Sequence, residues 1–263
     1  MPPRSFIGAQ SFYENVRQFK HTHDLLLFSE SDWPEINIKL RISPEVPFTV
    51  IEQTKPVLRL PQKFAINNIL WFTSLKMARD AGYSHVLYLE SDCRVGRDDW
   101  DAVIFDEYFG MGRALICGGS LGVYNPANWN RKATDRWCEL VARHFIRKNM
   151  PIPSYGWKGA NEKHPVCVFP NGAISIISVA WAHELFDLTQ PATKLAVNPE
   201  PFDMALGRRL WEKFEEDTYE VVGHLTSSYS TYGDIITSLD ERKEMLTSGK
   251  IVAGHHYKDS WKP

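Results

Sequence analysis

A short apolar segment that ends in two carboxylates constrains the fold of this chain more than any other feature. Residues Val86–Leu89 are apolar on both faces, as in a strand covered by helices on each side, and Glu90 and Asp92 follow at once. A helical pattern that begins with proline covers residues 61–79, just before this strand. A helix that leads into a buried strand is half of a βαβ unit, so this part of the chain predicts α/β structure.

Strand and helix patterns alternate along most of the remaining chain. The pattern predicts strands at residues 24–30, 36–42, 48–51, 113–119, 166–179, 221–224 and 251–256. It predicts helices at residues 11–20, 99–109, 134–148, 181–188 and 201–214. A loop rich in Pro, Gly and Trp at 149–165 is long for a compact domain, and it is either a lid over a site or a plain surface connection. We therefore expect a single α/β domain with a mostly parallel central sheet flanked by helices.

Composition argues against several classes of protein. The 263 residues are 43% apolar and 24% charged, which suits a globular core, and the formal net charge of -2 gives no reason to expect a nucleic-acid partner. No apolar run approaches membrane-spanning length. The cysteines lack zinc-site spacing, and Cys117 and Cys138 lie in patterns typical of buried thiols, which fits a reducing compartment. We expect a soluble, cytoplasmic protein without a membrane span.

The acids after the first strand are candidate ligands of a cation. Ligands of open α/β sheets bind beyond the carboxyl ends of the strands, and Glu90 and Asp92 can hold a divalent cation there. The alternative is that the two acids merely solvate a turn. Asp203 opens a predicted helix, where the helix dipole favours a carboxylate whether or not it has a function.

A second set of candidates lies near the end of the sequence. The strand pattern at 251–256 ends in His255 and His256, and Lys258 follows. Adjacent residues of a strand point to opposite faces, so only one of these histidines can readily face a site. An imidazole beside carboxylates would favour Mn²⁺, and a lysine could contact an anion.

The order of these pieces resembles that of the GT-A glycosyltransferases. Tyr88-Leu89-Glu90-Ser91-Asp92 is similar to their DxD motif, with Glu in the first position. Phe202-Asp203-Met204-Ala205-Leu206-Gly207 is similar to their Glu-Asp-x-x-Leu-Gly motif, with Phe in place of Glu. The segment 171–178 resembles their acceptor-side segment, and 255–263 resembles the His and Lys at the end of glycogenin-like members.

The resemblance implies a fold, an activity and a set of site residues. It implies one Rossmann-like GT-A domain over 1–263, with a nucleotide-binding part at about 1–120 and an acceptor-binding part at about 121–263. The implied reaction is transfer of a sugar from a nucleoside-diphosphate sugar, with UDP as the expected nucleotide, to a hydroxyl of a glycan or another acceptor. The implied cofactor is Mn²⁺ or Mg²⁺. The implied residues are Asp203 as catalytic base, Glu90, Ser91, Asp92 and Lys258 toward the nucleotide, and Asp92, His255 and His256 toward the metal.

Two other functions remain open at this point. A non-catalytic carbohydrate-binding module could use the nine tryptophans and ten tyrosines, although it would have little use for two acids at a buried strand end. A metal-dependent phosphoesterase could use the same acids, but two-metal chemistry normally needs a denser set of Asp and His ligands. Nucleotide binding that requires a metal would distinguish the transferase from the module.

Overall fold

The computed structural model describes a little over half of the chain. The described residues are 11–25, 62–112, 114–118, 121–124, 167–170, 173–195, 202–214, 221–229 and 239–255. The predicted strands at 36–42 and 48–51, most of the one at 24–30, the helix at 134–148 and the loop at 149–165 lie outside these ranges. The described part is mixed α/β, as the alternation of patterns predicts.

Seven helices and nine strands make up the described part. The helices are α1 (residues 11–16), α2 (Gln62–Asp80), α3 (Trp100–Gly110), α4 (Val179–Phe186), α5 (Ala192–Leu195), α6 (Phe202–Phe214) and α7 (Leu239–Thr247). The strands are β1 (His85–Leu89), β2 (Arg94–Val95), β3 (Ile116–Gly118), β4 (Leu121–Tyr124), β5 (Cys167–Pro170), β6 (Ile174–Ser178), β7 (Val222–His224), β8 (Ser228–Tyr229) and β9 (Ala253–Gly254). The short elements β2, β8 and α5, and the polar helix α7, carry too little apolar pattern to be predicted from sequence.

The main sheet of the described part is mixed, so the expectation of a mostly parallel sheet is wrong for these strands. Its strand order is β1-β6-β3-β7, and β6 runs antiparallel to both of its neighbours. Only β3 and β7 form a parallel pair. An apolar run marks a buried strand without marking its direction, which explains the error. Because β1, β3 and β7 run in the same direction, they end at the same edge of the sheet, called here the carboxyl edge.

Strand β1 is covered on both faces, as its sequence predicts. Leu87 and Leu89 pack against one apolar cluster, whereas Val86 and Tyr88 pack against another. The first cluster draws on α1 and α3, and includes Phe12, Val16, Trp100, Ile104 and Tyr108. The second draws on α2, α4 and α6, and includes Trp71, Phe72, Leu75, Ala182, Phe202 and Leu206. The sheet therefore lies between two layers of helices.

Helix α2 delivers the chain to the start of β1 through a glycine turn. Gly82 has a φ of 81° and its N–H donates to the carbonyl of Arg79 at 3.0 Å. The N–H of Tyr83 donates to the carbonyl of Ala78 at 2.8 Å. This pair of hydrogen bonds is a Schellman motif, which needs a residue in the left-handed conformation and so favours glycine.

Two further expectations bear on the class of protein. Cys93 and Cys117 are buried free thiols, which confirms the prediction for Cys117, and Cys138 lies outside the described residues. Among the helices of the described ranges, none combines the length and the apolar character needed to cross a membrane.

Candidate metal centre

Glu90 and Asp92 lie on a tight turn that begins where β1 ends. The N–H of Glu90 donates to the carbonyl of Ala173 at 2.9 Å, which extends the pairing of β1 with β6 by one residue. The N–H of Cys93 then donates to the carbonyl of Glu90 at 2.9 Å, which closes a β-turn over residues 90–93. The turn places both acids at the carboxyl edge, as the sequence predicts.

The histidine reaches this turn through a second, smaller sheet. Strand β9 pairs antiparallel with β2, so Gly254 lies opposite Arg94 and Ala253 lies opposite Val95. His255 directly follows β9, and one residue, Cys93, separates Asp92 from β2. The antiparallel register therefore carries His255 back to the acid-bearing turn.

Three potential ligands converge at this place. Nε2 of His255 lies 3.0 Å from Oδ1 of Asp92 and 3.4 Å from Oε2 of Glu90. One ligand atom from each of the three residues lies within 4.8 Å of the others. The side chains of His255 and Asp92 are 3% and 7% exposed, whereas that of Glu90 is 28% exposed. Glu90 is thus the member of the set that faces solvent or a bound molecule.

The carboxylates of the cluster affect the pKa values of two buried groups, His255 and Cys93. Burial opposes a positive charge on His255, but hydrogen bonds and charge attraction from Asp92 and Glu90 outweigh burial, so the pKa of His255 is raised. Burial, together with the same two carboxylates, raises the pKa of the Cys93 thiol well above its usual value. Cys93 therefore stays protonated, and its Sγ donates to the carbonyl of Ala173 at 3.3 Å instead of serving as a ligand.

The donor set fits a divalent cation. Two carboxylates and one imidazole suit Mn²⁺ better than Ca²⁺ or Mg²⁺, which prefer oxygen ligands alone. The three residues could equally form a metal-free ion cluster in which His255 carries the proton, and a titration with metal separates the two cases. No other group of three or more Asp, Glu, His or Cys ligands forms within the described ranges.

Asp203 lies in the first turn of α6, whose start packs against β1. The ring of Phe202 stacks on Trp71 with centroids 4.7 Å apart, and meets the Tyr88 ring edge-on at 5.7 Å. Burial raises the pKa of Tyr88, and the carboxylates of Glu90, Asp203 and Asp92 add to the shift. Asp203 is therefore within electrostatic reach of the same tyrosine as the two acids of the turn.

The remaining predicted site residues are Ser91, His256 and Lys258. Ser91 is exposed on the turn, its carbonyl accepts a hydrogen bond from Arg94, and its predicted role toward the nucleotide stays a prediction. His256 and Lys258 lie outside the described residues, so their predicted roles stay predictions. His23, a histidine outside this cluster, pairs with Asp101, with Nδ1 2.8 Å from Oδ2.

Arg94 is the residue of this site that sequence reasoning missed. Its guanidinium is buried and bonds the turn that carries the acids. From the sequence, an arginine next to a charged turn is expected to lie on the surface. The only feature that pointed to a role in the site was its position two residues after Asp92.

No protein-family model, curated protein or solved structure matches this chain.

Proposed function

We propose that this protein is a metal-dependent glycosyltransferase that moves a sugar from a nucleoside-diphosphate sugar to an acceptor hydroxyl. The observation that carries the proposal is the convergence of Glu90, Asp92 and His255 at the carboxyl edge of an α/β sheet. Ligands of such sheets bind at that edge. UDP-sugars are the first donors to test and glycans the first acceptors.

The burial of the three residues assigns them different parts. Asp92 and His255 are almost fully buried and point at each other, so they are the proposed direct ligands of Mn²⁺. A bound Mn²⁺ would neutralise the negative charge that grows on the diphosphate leaving group. Glu90 is more exposed and has a longer side chain, so it is proposed to contact the donor, through its ribose or through a metal-bound water.

Asp203 is the proposed base. Its carboxylate belongs to the first turn of α6, where the helix dipole stabilises the ionised form. If the sugar is transferred with inversion, Asp203 accepts the proton of the acceptor hydroxyl as its oxygen attacks. If the configuration is retained, Asp203 orients the acceptor or the sugar instead.

A two-metal phosphoesterase has less support. It would need a second cluster of ligands, and the described ranges contain one cluster only. A carbohydrate-binding module would leave Asp92 and His255 buried together, with Glu90 beside them, without a use.

Calorimetry with UDP and GDP, each with and without Mn²⁺, tests the proposal. We expect a nucleoside diphosphate to bind only when Mn²⁺ is present, and donor hydrolysis or transfer to show the same dependence. Asp106→Asn is a suitable control because Asp106 is an exposed acid on α3. Failure of both nucleotides to bind in the presence of Mn²⁺ would refute the proposal, and sugar binding without nucleotide would favour the module.

A further inference from the structure

Arg94 is a buried cation that directly follows the acid-bearing turn. Its relative exposure is 7%, and its Nη1 donates to the carbonyl of Cys93 at 2.5 Å and to that of Ser91 at 3.3 Å. These carbonyls flank Asp92 on both sides. Because a guanidinium is planar and its donors have a fixed geometry, the two bonds restrain the peptide group before Asp92 and the peptide group after Cys93.

The other side of the guanidinium reaches helix α1. Nη2 of Arg94 donates to Oγ of Ser11 at 2.6 Å. One helical turn further on, the amide of Asn15 accepts from the N–H of Val95 at 2.8 Å and donates to its carbonyl at 3.0 Å. Ser11 and Asn15 are four residues apart, so one face of α1 makes all three bonds to β2.

Arg94 also contacts the strand that leads to His255. Its backbone is paired with that of Gly254, the residue before His255. A single residue therefore contacts the turn that bears Asp92, the helix that supports the turn, and the strand that delivers His255.

We propose that Arg94 is a positioning residue that holds Asp92 and His255 in the geometry required for cation binding. The inference rests on the proposed function in taking the ligand to be Mn²⁺. A positive charge near a cation site weakens cation binding by repulsion, so any benefit from Arg94 must come from geometry. The sign of the effect of neutralising Arg94 therefore separates the two roles.

The experiment measures the affinity for Mn²⁺ of Arg94→Gln, Arg94→Lys and Ser11→Ala, by calorimetry or by electron paramagnetic resonance of the free ion. Loss of a residue that orients metal ligands typically weakens binding about 10- to 100-fold, and we expect that for both Arg94 variants. Lys keeps the charge but cannot bond both carbonyls and Ser11 at once. Ser11→Ala should weaken binding less and in the same direction. It also tests the inference if the Arg94 variants fail to fold.

Two controls separate positioning from charge and from general stability. Arg97→Gln removes an exposed arginine three residues away, and it should leave the affinity unchanged. Asp101→Asn removes a buried charge that bonds Thr22 and His23, so we expect it to lower the melting temperature and to leave the affinity unchanged. Tighter binding in Arg94→Gln, or unchanged binding in Arg94→Lys, would overturn the inference.

A second measurement separates this inference from the proposed function. The ring signals of His255 in the metal-free protein, assigned with His255→Gln, report the contact with Asp92. If the wild-type protein binds no Mn²⁺, the proposed function fails. The inference about Arg94 is still tested, because it requires Arg94→Lys to shift the His255 signals and Arg97→Lys to leave them unshifted. Unshifted signals in Arg94→Lys would overturn it. Equal Mn²⁺ affinity of wild type and Arg94 variants would overturn the inference and leave the proposed function standing.

Discussion

Nε2 of His255 lies 3.0 Å from Oδ1 of Asp92, and both side chains are almost completely buried. Two buried groups of opposite charge are stable only as a pair, because removing one partner leaves the other desolvated and uncompensated. A cation that binds between them would replace the proton as the positive partner of the two carboxylates. The contact between His255 and Asp92 therefore pairs the two side chains in the metal-free protein, and it places them together as ligands in the proposed metal-bound protein.

Replacing Asp92 with Asn tests this contact most directly. Asn keeps the size of the side chain but removes the negative charge, so we expect Mn²⁺ affinity to fall at least about tenfold and metal-dependent transfer to be lost. The protein should still fold, which a circular dichroism spectrum checks. Asp106→Asn should behave like the wild type. Metal-dependent transfer that survives in Asp92→Asn would mean that Asp92 is not a ligand.

Asp203→Asn should separate chemistry from binding. Loss of a general base typically lowers turnover about 10²- to 10⁴-fold, and we expect that loss with a donor affinity close to that of the wild type. Glu212→Gln, an exposed acid on the same helix, is the matched control and should leave turnover unchanged. Steady-state kinetics and donor calorimetry supply the two numbers. A loss of donor affinity in place of turnover would contradict the assignment of Asp203 as the base.

The part of the site that the sequence could predict depends on local pattern. The pattern of Val86–Leu89 predicts a buried strand, because apolar residues point to both faces, and the structure packs it between two clusters with its residues partly buried. Because Glu90 and Asp92 directly follow this strand in the sequence, their position at its carboxyl end could also be predicted. The sequence predicts a helix at 61–79, and the structure has it at Gln62–Asp80. The two ranges agree because a long segment with regularly recurring apolar residues is a strong helix pattern.

The remaining part depends on contacts between distant segments. Strand β2 has only two residues, too few to show an alternating pattern, and the strand pattern at 251–256 does not indicate its partner, yet the pairing of β2 with β9 decides that His255 meets Asp92. The sequence could say only that one of two adjacent histidines would face a site. The role of Arg94 was equally hidden, because its hydrogen bond to Ser11 runs to a helix more than 80 residues earlier in the chain.

Phe202 occupies a position at which the resembled motif has Glu, and packing explains the difference. Its side chain is 3% exposed and lies against Trp71 and Tyr88. We expect Phe202→Ala to lower the free energy of unfolding by about 3–5 kcal/mol, and Phe202→Glu to lower it at least as much because it buries a charge. Phe109→Ala is the control, since Phe109 is 55% exposed, and its cost should stay below about 1 kcal/mol. Urea unfolding measures all three, and a Phe202→Glu variant as stable as wild type would contradict this packing.

A second buried acid, Asp101, ties the segment after α1 to the start of α3. Its Oδ2 accepts hydrogen bonds from the backbone N–H groups of Thr22 at 2.8 Å and His23 at 2.7 Å. The ring nitrogen Nδ1 of His23 lies 2.8 Å from the same oxygen. Burial alone would raise the pKa of Asp101, but the hydrogen bonds from His23 and Thr22 outweigh burial, so the pKa is lowered.

The lowered pKa of Asp101 predicts how stability depends on pH. A carboxyl whose pKa is lower in the folded state than in the unfolded state stabilises the fold fully above its unfolded pKa of about 3.9, and the stabilisation is lost as the pH falls through the folded value. Asp101→Asn should therefore cost about 1–3 kcal/mol at pH 7, and the difference from wild type should shrink below about pH 4. Urea unfolding of both proteins between pH 7 and pH 3 measures this difference. A difference that stays constant over that range would show that the charge of Asp101 contributes nothing, and that only its shape matters.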